Sequence, residues 1–235
     1  AVVFTIGDFA YVGTGFDGSK RLKDFWQYDK AKNTWFRKAD LPGPARNAAV
    51  AFSANGKGYV GTGYDGENRL KDFWEYDPIT NEWSAIPDFA GTARMGAVAF
   101  SLQDKGYVSS GSDGNDLKDL WQYDPVTKAW NQKISIGGAK RTNAFAFVVD
   151  GKAYLGGGRN NGIFETDFWA YDGSADEWIR KKDLDANGHP IAREYAVTFS
   201  TGTHGYLATG SYGGLRSDIW EYDPGKDQWR QMRSF

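Results

Sequence analysis

Residues 58–78 read GYVGTGYDGENRLKDFWEYDP, and this stretch combines the glycines, aromatic residues and turn residues that recur along the chain. Shifting the sequence against itself by about 48 residues aligns one Tyr and two Trp in every copy. The aligned positions are Tyr11, Tyr59, Tyr107, Tyr154 and Tyr206, then Trp26, Trp74, Trp121, Trp169 and Trp220, and last Trp35, Trp83, Trp130, Trp178 and Trp229. Five copies account for all 235 residues, so the sequence predicts a repeat protein.

Each copy contains four short strand-like runs separated by turn residues. In the second copy, Asn55-Gly56 suits a tight hairpin, and Asp77-Pro78 supplies the first two positions of a type I turn. Such units cannot bury their faces alone and pack radially into a ring. The sequence therefore predicts an all-β fold, a single five-bladed β-propeller in which each blade is a four-stranded antiparallel meander. The predicted blades are approximately 1–41, 42–89, 90–136, 137–184 and 185–235.

The end of the second predicted strand resembles a known repeat family. It carries a glycine-rich triplet at Gly13–Gly15, Gly61–Gly63 and Gly156–Gly158, and each copy then has a Tyr close to a Trp. This pattern resembles the kelch repeat along the whole chain, although the third copy has Ser109 and Ser110 in place of glycines. No copy ends in the Trp-Asp signature of WD repeats. The resemblance implies a bacterial kelch propeller of exported or surface type, so we expect a periplasmic, surface or secreted location.

Composition and charge exclude several classes of protein. The formal net charge is −2, with 28 basic and 30 acidic residues interspersed, so no broad positive field is available for nucleic acid. No apolar run is long enough to span a membrane, so membrane insertion is not expected. The chain has no cysteine, which excludes disulfides and thiolate metal sites. We expect no cofactor and no metal, and the partner is predicted to be a protein or a glycan.

The position at which each repeat begins and ends in the sequence bears on how the ring closes. No predicted blade draws strands from both ends of the sequence. We therefore expect the ring either to close through side-chain packing alone or to need residues beyond this sequence. An Arg begins four of the copies, and its first equivalent would fall just before Ala1, which favours missing upstream residues.

A residue that recurs in every blade is expected to stabilise the blade, whereas a residue that breaks the repeat is available to bind a ligand. The recurring Asp-Gly loops could bind calcium, but Asp at such places more often caps a turn. The recurring Arg could ring an anion near the propeller axis, or could pair with an Asp of a neighbouring blade as scaffold. The recurring Asp positions are Asp24, Asp72, Asp119, Asp167 and Asp218, and the Arg set is Arg46, Arg94, Arg141 and Arg193.

Departures from the repeat concentrate in the fourth and fifth copies. By strand parity, the loops that contain them share one face of the propeller. They offer cationic, amide, acidic and aromatic side chains, which could hold a polar ligand such as a sugar. Alternatively, insertions in exposed loops drift without function. The predicted ligand-binding residues are Arg159, Asn160, Glu165, His189, Glu194, Tyr195, Tyr212 and Arg216.

Three functional classes remain open from the sequence. The leading prediction is a non-catalytic binding module that presents this loop face to a glycan or a protein, because no nucleophile or phosphate-binding motif is present. The second is a sugar-acting enzyme, since the chain resembles kelch sialic-acid mutarotases in outline. Under that reading Glu194 is the acid/base, and Arg193 or Arg159 clamps an anion. The third is a scaffold domain of a larger surface or secreted protein.

Overall fold

The computed structural model describes residues 1–186 and 188–234, and only the backbone of Ala186, His189 and Pro190. The described residues form strands and turns without helices, as predicted. Within them, no helix has the length and apolar composition needed to cross a bilayer. Five four-stranded antiparallel sheets, one of which has a short hairpin inserted between its second and third strands, are the blades of a five-bladed β-propeller. The predicted fold class is therefore confirmed.

Blades 1 to 3 lie in a first compact unit, which comprises Ala1–Val108 and Trp121–Gln132. Their sheets have the strand orders β1-β2-β3-β4, β5-β6-β7-β8 and β9-β10-β11-β12. The strands are β1 (Val2–Ile6), β2 (Phe9–Phe16), β3 (Arg21–Asp29), β4 (Thr34–Arg37), β5 (Val50–Ala54), β6 (Lys57–Gly61), β7 (Phe73–Asp77), β8 (Glu82–Ile86), β9 (Val98–Leu102), β10 (Lys105–Ser109), β11 (Leu120–Asp124) and β12 (Ala129–Lys133).

Blades 4 and 5 lie in a second unit, which comprises Ser109–Leu120 and Lys133–Phe235. Two short hairpins, β15-β16 and β19-β20, occur in its loops. The strands are β13 (Phe145–Val149), β14 (Lys152–Gly156), β15 (Arg159–Asn160), β16 (Ile163–Phe164), β17 (Phe168–Asp172), β18 (Glu177–Arg180), β19 (Asp185–Ala186), β20 (His189–Pro190), β21 (Val197–Ser200), β22 (Gly205–Ala208), β23 (Ile219–Asp223) and β24 (Gln228–Gln231).

The predicted turn residues close the hairpins of blade 2. Asn55 and Gly56 have φ values of 50° and 73°, the left-handed conformation that a two-residue hairpin turn requires. At the other turn, Asp77 Oδ1 accepts a hydrogen bond of 2.8 Å from the backbone N–H of Ile79. Local turn chemistry thus determines where each strand of the meander ends.

Neighbouring blades of the first unit interlock through an aromatic ring and a glycine. Phe4 of β1 lies over Gly58 of β6, and Phe52 of β5 lies over Gly106 of β10, so closely that an added Cβ at either glycine would collide with the ring. Comparing the copies did not identify these glycines, because each glycine packs against an aromatic ring of the preceding copy and not against a ring of its own copy. Side-chain packing between copies therefore depends on residues about 54 positions apart, as Phe4 and Gly58 or Phe52 and Gly106 show.

Blade 5 departs from this packing. Val197 and Phe199 of β21 are 56% and 50% exposed, whereas Val50 and Phe52, at the same positions in β5, are 3% and 2% exposed. The inner strand of blade 5 therefore presents to solvent the apolar side that is buried in blade 2.

Candidate functional site

The recurring Arg residues are buried scaffold residues. Arg46 is 0% exposed and donates to both carboxylate oxygens of Asp72, at 2.7 and 2.5 Å. Arg46 also donates to the carbonyl oxygens of Pro44 and Thr62, at 3.1 and 3.0 Å. The indole N–H of Trp74 donates to the same carboxylate at 2.7 Å. This network commits Arg46 to protein acceptors rather than to a ligand.

The same arrangement recurs in the second unit. Arg141 contacts Asp167 at 2.6 Å, and Arg193 contacts Asp218 at 2.7 Å. Each Arg and its Asp lie just before the first and third strands of one sheet, so the expectation that the partner Asp belongs to a neighbouring blade is wrong. The backbone of the Arg instead joins its blade to the preceding one in this unit, because Gly158 N–H donates to Arg193 C=O at 2.8 Å.

Arg94 completes the Arg set in the first unit. It is 1% exposed, its Nε donates to the Thr92 carbonyl oxygen at 3.1 Å, and its guanidinium lies 4.7 Å from the centre of the Phe89 ring. None of the four Arg side chains is exposed by more than 1%. Arg193, a candidate anion clamp, is thus held inside blade 5 rather than presented on its loops.

The Arg partners change the ionisation of the Asp residues. Burial acts to raise the pKa of Asp72, but the hydrogen bonds and charge of Arg46 outweigh it and hold that pKa below its usual value. The pKa of Asp218 is lowered in the same way, with burial opposing and Arg193 prevailing. Both carboxylates therefore remain ionised partners of a buried guanidinium at neutral pH.

The Asp-Gly loops have the turn-capping structure predicted for them. Asp17 Oδ1 accepts backbone hydrogen bonds from Ser19 and Lys20 at 2.9 and 2.8 Å, and Asp65 Oδ1 accepts the equivalent pair from Glu67 and Asn68. These bonds hold the pKa of Asp17 and Asp65 below the usual range. Over the described part of the chain, no three His, Asp or Glu residues cluster as metal ligands would.

In the loop after β14, the aromatic residue and the cationic residue of the repeat have exchanged positions. In blade 2, Tyr64 pairs across the loop with Arg69. In blade 4 the cation comes first, because Arg159 pairs with Phe164. The Arg159 guanidinium lies 4.5 Å from the centre of the Phe164 ring, which is a cation–π contact within the loop, whereas the Tyr64 ring is contacted by Arg21 of blade 1 at 4.8 Å. The exchange moves a positive charge to the position nearest the inner strands.

This stack continues into blade 5. The rings of Phe164 and Tyr212 are 4.5 Å apart, and the Arg216 guanidinium lies 5.6 Å from the Tyr212 ring. The structure thus joins three predicted residues, Arg159, Tyr212 and Arg216, through Phe164. Neither Arg159 Nε nor Arg216 Nε has a hydrogen-bond partner among the described residues, although both atoms are buried.

Glu194 and Arg159 form an ion pair beside this stack. Arg159 Nη1 lies 3.4 Å from Glu194 Oε1, and Asn143 Nδ2 donates to Glu194 Oε2 at 3.4 Å. The backbone of Glu194 is fixed by two hydrogen bonds with Ser211, of 3.0 and 2.9 Å. Glu194 is only 8% exposed, so its carboxylate is a positioned and partly satisfied acceptor.

Tyr195 is the exposed aromatic residue of the site. Its φ is 57°, in the left-handed region. At the same position of the repeat, blades 2, 3 and 4 have the smaller residues Ala48, Gly96 and Asn143. A bulky side chain is strained in this conformation, and strain of this kind concentrates at functional sites. The side chain is 66% exposed. Burial of part of it and the charge of Glu194 raise the pKa of Tyr195.

Three other predicted residues, Asn160, Glu165 and His189, have different partners. The Glu165 carboxyl interacts with Asn160, and burial, with a smaller effect of Asp167, raises the pKa of Glu165 against the opposing charge of Arg141. His189 pairs through its backbone with Ala186, but its side chain lies outside the described residues. Asn160 and Glu165 therefore form a second polar pair rather than direct contacts of Glu194.

A cavity of about 290 Å³ occurs at the other end of blade 5. It lies among the turns that follow β21 and β23, and its acidic residues have basic partners: Arg230 contacts Glu221 at 2.6 Å and Lys226 contacts Asp223 at 2.9 Å. The loop residues described above do not line it. We therefore base the candidate site on the concentrated departures from the repeat rather than on cavity size.

The candidate site, called the loop site below, consists of Arg159, Asn143, Glu194 and Tyr195. It presents donors, an acceptor and an aromatic ring. Sequence reasoning missed Asn143. Comparing the residue two positions after each recurring Arg would have found it, because this position is Ala, Gly, Asn or Tyr in the four copies.

Comparisons with known proteins agree with this fold. The family model for the KLHDC2/KLHL20/DRC7 Kelch-repeats domain matches residues 1–140, which is more than half of the chain. A solved structure, "Structure of YjhT", is similar with a TM-score of 0.81 and 19% sequence identity, over 100% of this chain and 83% of that one. That identity supports a shared fold alone. No curated protein matches the sequence. The chain belongs to the KLHDC2/KLHL20/DRC7 Kelch-repeats domain family.

Proposed function

We propose that this kelch propeller is a non-catalytic binding module that holds a glycan at the loop site. A kelch propeller supports a binding or interaction role at a general level. The finer proposal rests on one observation, the exposed and conformationally strained ring of Tyr195 beside the Arg159–Glu194 ion pair. An aromatic ring packs against the C–H face of a sugar, while neighbouring polar groups bind its hydroxyls.

The charges of the loop site favour a polar ligand over an apolar protein surface. Arg159 and Asn143 can donate hydrogen bonds, and Glu194 can accept them. Because Arg159 and Glu194 neutralise each other, the pair suits hydroxyl groups, which both donate and accept. A ligand would also replace the solvent around the Tyr195 ring, which provides the apolar part of the binding energy.

A glycan array that displays neutral and sialylated oligosaccharides tests this proposal. The strongest glycan is then titrated against Tyr195→Ala, Glu194→Gln and Arg159→Ala. We expect about a tenfold loss of affinity for Tyr195→Ala and a smaller, graded loss for Glu194→Gln. Arg21→Ala is the matched control, since Arg21 makes the same kind of cation–π contact in blade 1, with Tyr64 at 4.8 Å.

The outcomes separate the candidate partners. Losses in the loop-site variants with an unchanged Arg21→Ala would support a glycan site. Equal losses in all variants would contradict it. If no glycan binds and a pull-down recovers a protein that the loop-site variants lose, the partner is a protein and the glycan proposal is wrong. Export of the protein to the periplasm or cell surface stays a prediction.

The enzymatic alternative is favoured by a different residue from the one predicted. Glu165 has a pKa raised mainly by burial, as a proton donor requires, whereas the Glu194 carboxylate is bonded to Arg159 and Asn143. If the bound sugar changes its anomeric form faster in the presence of the protein, Glu165→Gln should abolish that acceleration and retain binding. An acceleration unaffected by Glu165→Gln would exclude this residue as the acid/base.

A further inference from the structure

A second cavity, of about 180 Å³, lies among the hairpin turns at one end of blades 1, 2 and 3. These turns join the first and second strands of each blade, and the first strands β1, β5 and β9 lie next to one another in that order. None of the loop-site residues lines this cavity. Its walls include Thr5, Ile6, Ser53, Asn55 and Asp104.

Blade 3 departs from the repeat at the turn that supplies Asp104. Blades 2 and 4 have Asn55-Gly56 and Asp150-Gly151 at this turn, and such pairs readily adopt two positive φ angles. Blade 3 has Gln103-Asp104 instead, with φ values of 52° and 55°. A residue with a side chain is less favourable than glycine at the second position of this turn. Blade 3 therefore places a carboxylate at the cavity in a strained conformation, and such strain concentrates at functional sites.

The Asp104 carboxylate has no hydrogen-bond or ion-pair partner among the described residues. The next residue in the chain is a cation, Lys105, but it donates to Asp124. In blade 1, the acid at the same position of the turn is Asp8, and it pairs with Lys30 at 2.7 Å. Asp104 is exposed, so the fold presents a negative charge at the cavity without a positive partner.

Uncharged oxygen atoms supply the other polar groups of the cavity. The backbone N–H of Ser53 donates to Ser101 Oγ at 3.1 Å, which joins β5 to β9 and fixes the backbone that carries the Ser53 hydroxyl. This hydroxyl, the Thr5 hydroxyl and the side-chain carbonyl of Asn55 can each accept a hydrogen bond. The Ile6 side chain adds an apolar wall. The cavity thus combines one carboxylate, several neutral acceptors and a hydrocarbon surface.

We propose that this cavity binds a primary alkylammonium group, from a free diamine or from a lysine side chain. An ammonium has three N–H donors and no acceptor, which matches a site made of acceptors. Asp104 neutralises its charge, Thr5 and Ser53 accept its other hydrogen bonds, and Ile6 contacts the methylene chain. A metal ion matches less well, because no three His, Asp or Glu residues cluster in the described part of the chain.

Titration of the intact chain with cadaverine and, separately, with N-acetyl-lysine methylamide tests the proposal. Binding is followed by calorimetry and by the amide chemical shifts of the turn that contains Asp104. We expect a dissociation constant on the order of 1 mM, which should rise with salt because the contact is electrostatic. Pentanol has the carbon chain of cadaverine without its charge, so it is the ligand control and should not bind.

Variants of the turn test the role of the carboxylate. Asp104→Asn removes the charge and keeps a residue type that tolerates a positive φ, and it should weaken both probes by at least about tenfold. Ser53→Ala should weaken them by about threefold. Asp104→Gly restores the turn of blades 2 and 4, so it should abolish binding and raise the thermal unfolding midpoint. Asp8→Asn is the matched control, because Asp8 already has Lys30 as its partner, and binding should not change.

The two probes separate the sources of the ammonium group. Tighter binding of cadaverine would support a free diamine, whereas binding of the lysine derivative that is at least as tight would support a lysine side chain of a partner. The proposal would be overturned if neither probe binds, if pentanol binds equally well, or if Asp8→Asn and Asp104→Asn cause equal losses. Binding that persists in folded Asp104→Gly would overturn it as well.

Discussion

Blades 2 and 5 are built on the same repeat but differ in which side chains are available to bind a ligand. In both, a buried Arg contacts an Asp at 2.7 Å before the third strand, Arg46 with Asp72 and Arg193 with Asp218. The following residues differ, because Asn47 and Ala48 of blade 2 correspond to Glu194 and Tyr195 of blade 5. Positions that every blade shares therefore hold the scaffold, whereas positions that differ are available to a ligand.

The largest expected effect is at a shared position. Arg46→Ala removes a fully buried guanidinium from Asp72, whose side chain is 28% exposed, so we expect the free energy of unfolding to fall by about 3 kcal/mol. Arg159→Ala removes a partly exposed ion pair and should cost at most about 1 kcal/mol. Urea denaturation of both variants measures the difference. Equal losses would contradict the division into scaffold and ligand positions.

A second comparison uses the same Phe in two blades. Phe52→Ala removes a ring that is 2% exposed, whereas Phe199→Ala removes one that is 50% exposed. Since the cavity and transfer costs apply fully only to the buried ring, we expect Phe52→Ala to cost about 3 kcal/mol more. Thermal unfolding of the 235-residue chain measures this. Similar costs would show that Phe199 is covered in solution.

Tyr195 allows a test in which stability and binding change in opposite directions. Tyr195→Gly relieves a positive φ of 57° and should raise the free energy of unfolding by about 1 kcal/mol while abolishing glycan binding. Ala48→Gly is the matched control at the same position of blade 2, where φ is 51°. It should change stability less and leave binding unchanged. A loss of stability in Tyr195→Gly would exclude strain at this residue.

The smallest expected effect is on acid stability. The pKa of Asp72 and Asp218 is lowered in the folded protein, because Arg46 and Arg193 outweigh burial. Their stabilisation is therefore complete above the unfolded value of about 4 and is lost as the pH falls through the lower folded value. Free energies of unfolding measured on descending pH should fall less steeply for Asp72→Asn. An unchanged slope would show that Asp72 does not contribute.

Much of the fold was predictable from local patterns. The Tyr and Trp positions and the turns at Asn55-Gly56 and Asp77-Pro78 predicted four strands per copy, because these residues act within a few positions of themselves. The contact of Phe4 with Gly58 was not predicted, since it joins different copies. The same limit explains the wrong partner blade for Arg46, because a sequence shows that Arg and Asp recur but not which ones meet.

The candidate site was predictable only in part. Comparing copies identified Arg159, Glu194 and Tyr195, which the structure brings together. It did not separate them from Asn160 and Glu165, because all of these residues break the repeat. Their separation depends on the direction of each side chain from its loop, which the spacing of residues in the sequence does not determine.

The most direct test measures glycan affinity and the free energy of unfolding side by side for Glu194→Gln and Asp218→Asn. Both changes neutralise a carboxylate that contacts an Arg, one at the loop site and one in the scaffold of the same blade. We predict that Glu194→Gln weakens glycan binding at nearly unchanged stability, and that Asp218→Asn lowers stability while the folded protein binds normally. The reverse pattern, or equal effects of both changes on both quantities, would contradict the assignment of the loop site.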